Sequence, residues 1–99
     1  MNARTTMWEA VATAGRLAEL AHWAVRSAVP ALVAVDPAAQ VQIYRSQDER
    51  LVIIATGSLR APRILDAPEE LCERAPHQWA FELMSAGLSV DEATQGLGA

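Results

Sequence analysis

The feature that most constrains the fold is a continuous, largely β-branched run at residues 51–56, which is apolar up to Ala55 and is followed by Gly57. Both alternating sets of its side chains are apolar and several are β-branched, which is typical of a strand buried on both faces. We expect such a strand to lie centrally in a sheet with a neighbour on each side. Residues 58–65 are one candidate for the second neighbour, confined to a sheet edge by Pro62. The same strand of another copy is the other candidate.

The stretch before this run predicts its first neighbour. Polar and apolar residues alternate over residues 40–45, with Val41 and Ile43 on one face, as in a half-buried strand. Residues 46–49 are polar and suit a turn. The sequence therefore predicts an antiparallel β-hairpin over about residues 40–57.

A long helix is predicted near the N-terminus, over about residues 6–29. Seven apolar residues follow one another there at alternating spacings of four and three, which is the seam of a helix that packs on another helix. Its small alanines would let that partner approach closely, either within the chain or across a homodimer. Pro30 ends or kinks the helix, residues 30–35 suit either a second helix or a buried strand, and Asp36-Pro37 has the pattern of a turn. The seam consists of Met7, Val11, Ala14, Ala18, Ala21, Val25 and Ala28.

The last third of the chain has the pattern of two to three short helices, over about residues 67–96. Asp66 with Glu69, and Ser89 with Glu92, have the spacing of capping boxes. A core-facing stripe at helical spacing is formed by Trp79, Leu83 and Met84. Together the elements predict one α+β domain over residues 1–99. It has a long N-terminal α-helix, a central antiparallel β-hairpin or three-stranded meander, and short C-terminal helices.

One stretch near the end of the chain has a familiar pattern. Residues 79–98 run from a predicted helix through Gly87-Leu88-Ser89 to a second helix that closes on Leu97-Gly98. This resembles the first half of a bacterial helix-turn-helix. The stretch is acidic and holds no arginine that could contact a base. The resemblance therefore implies a helical hairpin rather than a DNA reader.

Composition indicates the origin and setting of the protein. All eight basic residues are arginine and alanine fills 20 of 99 positions, a bias typical of GC-rich genomes, so we expect a bacterial or phage source. The first residues lack the apolar stretch of a secretion signal, and no window is long and apolar enough for a membrane span. A single cysteine, Cys72, leaves no disulfide framework. We expect a cytoplasmic protein.

The charge is unevenly distributed. The formal total is −4, but residues 1–65 are slightly basic and residues 66–99 are strongly acidic. Binding to a nucleic-acid backbone needs clustered positive charge, so the acidic tail makes such binding unlikely. The same tail would favour a protein partner with a basic surface.

Candidate chemical sites are few. Cys72 and His77 are a soft nucleophile and a base close in sequence, but no thiol-enzyme motif surrounds them. His22 and His77 lack the spacing of metal ligands, and no glycine-rich loop could hold a phosphate. We therefore expect no catalytic residue, metal, cofactor or small-molecule ligand.

Two pairs of side chains suit recognition. Trp8 and Trp23 fall off the seam of the predicted helix, which indicates either a wider buried face or an exposed recognition strip. Arg60 and Arg63 flank Pro62 and could bind a carboxylate or phosphate bidentately. The sequence favours a plainer interpretation, in which they pair with the acidic residues that follow, Glu69, Glu70 and Glu73.

The sequence favours a small non-enzymatic module that docks to a protein partner or forms a homodimer, acting as an accessory or inhibitor protein. The alternative is a small dimeric regulator that contacts DNA through Arg45, Arg50, Arg60 and Arg63 on the hairpin side. A third hypothesis is an enzyme or ligand-binding domain that uses Cys72, His77 and the pair of Arg60 and Arg63. The residues predicted to bind a partner are Trp8, Trp23, Arg60, Arg63, Glu82, Asp91 and Glu92.

Overall fold

A computed structural model describes residues 4–58 and 60–84. They form an α+β arrangement of a four-stranded antiparallel sheet and one continuous helix of 19 residues. Along the sheet the strands lie in the order β2-β3-β1-β4. Their bounds are β1 (Arg4–Val11), β2 (Gln40–Arg45), β3 (Arg50–Gly57) and β4 (His77–Glu82).

The central position predicted for β3 is confirmed. It pairs with β2 in the expected hairpin and with β1 on its other side. Because β1 and β2 both run antiparallel to β3, they are parallel to each other with β3 inserted between them, as in a split β-α-β unit. The second neighbour of β3 is thus β1. The prediction of an edge strand within residues 58–65 is wrong for 60–65, which carry no strand.

The chain leaves β3 through a close turn that explains Gly57. A Cβ atom at this position would collide with the carbonyl oxygen of Arg60. Glycine therefore lets residues 60–72, here called the covering segment, fold back over the sheet. The segment has no helix or strand apart from one 3-10 turn at Glu69–Leu71.

The helix prediction is wrong in its bounds. The helix runs through α1 (Leu17–Trp23), a π-helical turn (Ala24–Ala28) and α2 (Val29–Val35), here called the long helix. Residues 6–11 belong instead to β1, where buried and partly buried side chains alternate. The seam predicted a helix that begins too early. Met7 and Val11 are spaced from the alanines as residues of one helix would be, although both belong to a strand.

Pro30 neither ends the helix nor begins a strand, because it lies in the first turn of α2. A proline ring clashes with the carbonyl four residues earlier in a regular α-helix, and the π-helical turn directly before it departs from that pattern. The buried side chains of the helix recur every four residues. In a regular α-helix, residues four positions apart are offset by about 40° around the helix axis, so such a stripe would wind away from the sheet. The π-helical turn holds more residues per turn, which offsets this rotation. The stripe consists of Leu20, Ala24, Ala28 and Leu32.

One face of the sheet, here called the core face, packs against the long helix and the covering segment. Trp8, Leu51 and Ile53 are each at most 1% exposed there, in one cluster with the helix stripe. The covering segment is tied to the same face by hydrogen bonds. The Thr6 hydroxyl donates to the Pro62 carbonyl, and the Gln78 side-chain amide bonds both backbone groups of Ile64, at 3.1 and 3.2 Å.

The predicted C-terminal helices are wrong where they fall on described residues. The stretch holds only the 3-10 turn and then β4, so Trp79 is in a strand. The first helix of the helix-turn-helix resemblance is contradicted for the same reason. The rest of that resemblance, and the predicted helix opened by Ser89, lie outside the described residues. The capping box at Asp66 failed because no side chain caps the 3-10 turn.

Candidate functional site: the open face of the sheet

The second face of the sheet, here called the open face, carries the side chains that alternate with those of the core face. Neither the long helix nor the covering segment packs on it, because both are joined to the core face. None of its apolar residues belongs to the buried cluster or packs against that cluster. These apolar residues are Met7, Val11, Tyr44, Val52, Ile54, Trp79 and Phe81.

Strand register brings these side chains into one patch. Met7 lies between Ile54 on β3 and Trp79 on β4, and directly paired residues project from the same face of a sheet. Tyr44 is paired with Val52 in the adjoining row. The centre of the face is therefore aliphatic, and its large rings stand on the two edge strands.

The rings are the most accessible part of the patch. Tyr44, Trp79 and Phe81 are 51%, 45% and 52% exposed. The His77 and Trp79 rings lie parallel to within 15°, with their centroids 5.9 Å apart. A contiguous exposed patch of this kind marks an interaction surface more often than a scattered apolar residue does.

The open face carries little net charge. Its acidic residue, Glu9, lies 3.6 Å from a guanidinium nitrogen of Arg50. The same arginine is also 3.6 Å from Asp48 in the hairpin turn. Apart from His77, the remaining side chains on this face are apolar, hydroxyl or amide. The patch therefore lacks a positive field that would attract phosphate and a negative field that would attract a basic partner.

The predicted tryptophan strip is placed differently. Trp8 lies on β1, not on the helix, and is 0% exposed. Its ring packs at 5.9 Å, tilted by 35°, against Trp23, which is half-buried beside the core. The Trp8 Nε1 atom has no hydrogen-bond partner in the described part of the chain. The two rings thus meet inside the molecule, and Trp8 presents no surface to a partner.

Arg60 and Arg63 are exposed, and they line a cleft between the end of α2 and the covering segment. Among residues 4–58 and 60–84, neither forms a salt bridge with Glu69, Glu70 or Glu73. The cleft also contains Asp36 and Asp66, so its four charged side chains sum to zero. The Asp36 carboxylate accepts hydrogen bonds from the Ser58 backbone and from the Ser58 hydroxyl, at the end of β3. These bonds lower the pKa of the Asp36 carboxyl.

The other charged candidates are dispersed. Arg45 and Arg50 flank the hairpin turn, whereas Arg60 and Arg63 follow the far end of β3. Arg50 projects from the open face, whereas Arg60 and Arg63 belong to the covering segment on the core face, so the four do not form one basic surface. Glu82 lies 3.6 Å from Arg4. Asp91 and Glu92 lie outside the described residues.

Cys72 and His77 do not form a nucleophile-base pair. Cys72 packs against the buried cluster and bridges to Ala12 at the end of β1, whereas His77 points to the open face beside Glu9. Partial burial raises the pKa of the Cys72 thiol, which reduces the share of reactive thiolate.

The residues of the open face that sequence reasoning missed carried a readable signal. His77, Trp79 and Phe81 alternate with Gln78, Ala80 and Glu82, which is the period of a strand. The helical stripe proposed for the same stretch rested on three residues only. A strand starting after Pro76 would have placed all three rings on one face.

No related protein indicates the function of this chain, so the open face is the main evidence for it. The chain matches no protein-family model, no curated protein and no solved structure with which it was compared. In the described residues, no helix is long and apolar enough to cross a membrane. Within the same ranges, no three histidine, cysteine or acidic side chains are grouped as metal ligands.

Proposed function

We propose that this protein is a non-enzymatic docking module that binds another protein surface through the open face of its sheet. The observation that carries the proposal is the contiguous apolar patch on that face, which the described part of the chain leaves uncovered. Burying such a patch against a partner removes apolar surface from water, which is the main driving force of protein association.

The arrangement of side chains suits a protein interface. Its aliphatic centre, formed by Met7 and Ile54, is bordered by the polar residues Thr5, Thr56 and Gln42. An apolar centre with a polar rim is the usual anatomy of protein interfaces. Trp79 and Tyr44 are of the residue types that most often dominate binding energy.

The charge of the face favours a protein over a nucleic acid. Rings on a sheet can stack on bases, but such platforms work together with a positively charged groove. Here Arg50 is shared between two carboxylates. The alternative role at DNA therefore gains no support from this surface.

Site-specific cross-linking in the cells that produce the protein tests the proposal. A photoreactive phenylalanine analogue replaces Phe81 on the open face, and in a matched variant it replaces Val25 on the long helix. The two positions are 52% and 58% exposed, so they differ mainly in the face on which they lie. Circular dichroism verifies that both variants fold.

We expect protein adducts from position 81 and few from position 25. Adducts from position 25 alone, or from neither position, would overturn the proposal. A mass twice that of the chain would identify a second copy in the adduct, and any other mass a different protein.

A further inference from the structure

We infer that the occupant of the open face is a second copy of this chain, packed face to face to form a two-layer β-sandwich. This inference rests on the proposed function, because it assigns a partner to the same docking surface. It arises from three properties of the face, which are its shape, its charge and its area.

The shape is suited to pairing with itself. Two sheets pack about 10 Å apart with their strands nearly aligned, and a two-fold axis brings the same patch of each copy together. An axis parallel to the strands, passing between β1 and β3, places β4 of one copy over β2 of the other. Trp79 and Phe81 of β4 then lie over the flexible side chains of Gln42 and Gln40, and His77 lies over Tyr44. Meanwhile Met7 and Ile54 of both copies meet at the centre.

The charge of the face also permits self-association. Glu9 and Arg50 neutralise one another within each copy, so the two patches meet without like-charge repulsion. The chain as a whole carries −4, and two copies therefore repel one another at long range. Added salt screens this repulsion, so we expect the dimer to tighten as salt rises. A complex held by charge attraction would instead weaken as the salt concentration rises.

The area of the face predicts the strength of the dimer. Four strands spaced by about 4.8 Å, with about six residues each at about 3.3 Å, give a face of roughly 19 by 20 Å. Each copy thus contributes about 400 Å² in projection, and the two together about 800 Å². That value is below the roughly 1,000 Å² that stable specific interfaces exceed, and it suits a weak, transient association. We therefore expect a reversible dimer that forms with rising concentration.

Sedimentation velocity over the widest attainable concentration range tests the inference. Ile54→Lys places a charge at the centre of the face, and Val25→Lys places the same charge on the exposed side of the helix. Ile54→Thr serves as a second face variant, because threonine retains the β-branching that strands favour. Circular dichroism and thermal melting establish that each variant folds.

We expect the wild-type chain and Val25→Lys to dimerise, and Ile54→Lys to raise the dissociation constant by at least about thirtyfold, as substitutions at interface centres do. Ile54→Thr should weaken the dimer in the same direction. A wild-type chain that stays monomeric throughout would overturn the second copy as occupant. A dimer that Ile54→Lys leaves intact would overturn the face-to-face arrangement, because the contact would then lie on another surface such as an edge strand of the sheet.

The two proposals fail in distinguishable ways. A monomeric chain whose position 81 still cross-links to a different protein contradicts the second copy and supports the docking module. A monomeric chain without adducts at position 81 contradicts both.

Discussion

The two faces of the sheet are built from the same four strands, yet they have different environments. Ile53 and Ile54 are chemically identical neighbours on β3. Ile53 is 1% exposed within the buried cluster, whereas Ile54 is partly exposed and lies outside that cluster. The difference arises from the elements that cover the sheet, because the long helix and the covering segment both pack on one side. An apolar strand face is therefore evidence of burial somewhere, but it does not establish that the same chain provides the cover.

The largest expected effect comes from truncating the two neighbouring isoleucines. Ile53→Ala should lower the free energy of unfolding by about 2–5 kcal/mol, because it opens a cavity in a packed core. Ile54→Ala should cost about 1 kcal/mol or less in dilute solution, where its side chain has no cover. Urea unfolding measures both values.

Raising the protein concentration should separate the effects of Ile53→Ala and Ile54→Ala on stability further. Self-association stabilises the folded chain by mass action, so the loss caused by Ile54→Ala should increase with concentration while that of Ile53→Ala stays nearly constant. Equal losses in dilute solution would mean that both faces are covered within one chain.

A second comparison uses the adjacent threonines of β1. The Thr6 hydroxyl is buried and bonded to the Pro62 carbonyl, so Thr6→Val should cost about 1–3 kcal/mol through an unsatisfied buried acceptor. On the open face, the Thr5 hydroxyl lies 3.1 Å from that of Thr56. Thr5→Val should change stability by no more than about 0.5 kcal/mol. Similar losses at both positions, measured by urea unfolding, would contradict the assignment of the faces.

A smaller effect on stability, which depends on pH, is expected from Asp36, where the end of the long helix meets the end of β3. Hydrogen bonds from Ser58 lower the pKa of Asp36 below that of the unfolded chain. The resulting stability is present at neutral pH and is lost as the pH falls through the lowered pKa. Asp36→Asn should therefore melt at a lower temperature than wild type at neutral pH, and the gap should narrow in acid.

Asp66→Asn provides the matched control for this pH series. Asp66 is exposed in the same cleft, and its carboxylate forms no hydrogen bond within the described ranges. Its replacement should leave the melting temperature nearly unchanged. If the difference in melting temperature between Asp36→Asn and wild type stays constant with pH, ionisation of the Asp36 carboxylate is not its cause.

The smallest effect concerns thiol reactivity on the two sides of the molecule. Cys72 packs against the core, and burial raises the pKa of its thiol, so iodoacetamide should modify it more slowly in the folded chain than in urea. A second thiol introduced by Trp79→Cys on the open face should react several-fold faster than Cys72. Mass spectrometry follows both sites. Rapid modification of Cys72 in the folded chain would revive the hypothesis of a thiol enzyme.

The hairpin and the central place of β3 were predictable from the sequence because their signals are local. Alternation over residues 40–45 and an apolar run at residues 51–56 define two strands that are adjacent in the chain. The identity of the second neighbour of β3 was not predictable, because it depends on pairing between residues that lie 39 to 53 positions apart in the chain.

Two elements were misassigned because short apolar patterns fit more than one period. Met7 and Val11 are compatible with a helix and with a strand, and the alanines that follow extended the helical pattern. Trp79 was likewise assigned to a helical core. The open face was missed as a consequence, since two of its four strands had not been recognised.

The position of β1 has a consequence for how the chain acquires its structure. β1 is the first strand to be synthesised, yet its partners are made much later, since Arg4 pairs with Gly57 on one side and with Glu82 on the other. Contacts so distant along the chain slow folding, because long loops must close before pairing contributes stability. Until β4 has left the ribosome, one edge of β1 remains unpaired, and nascent chains with open strand edges are prone to aggregate. We therefore expect the yield of folded protein to depend on temperature and on chaperones during synthesis more strongly than its final stability would suggest.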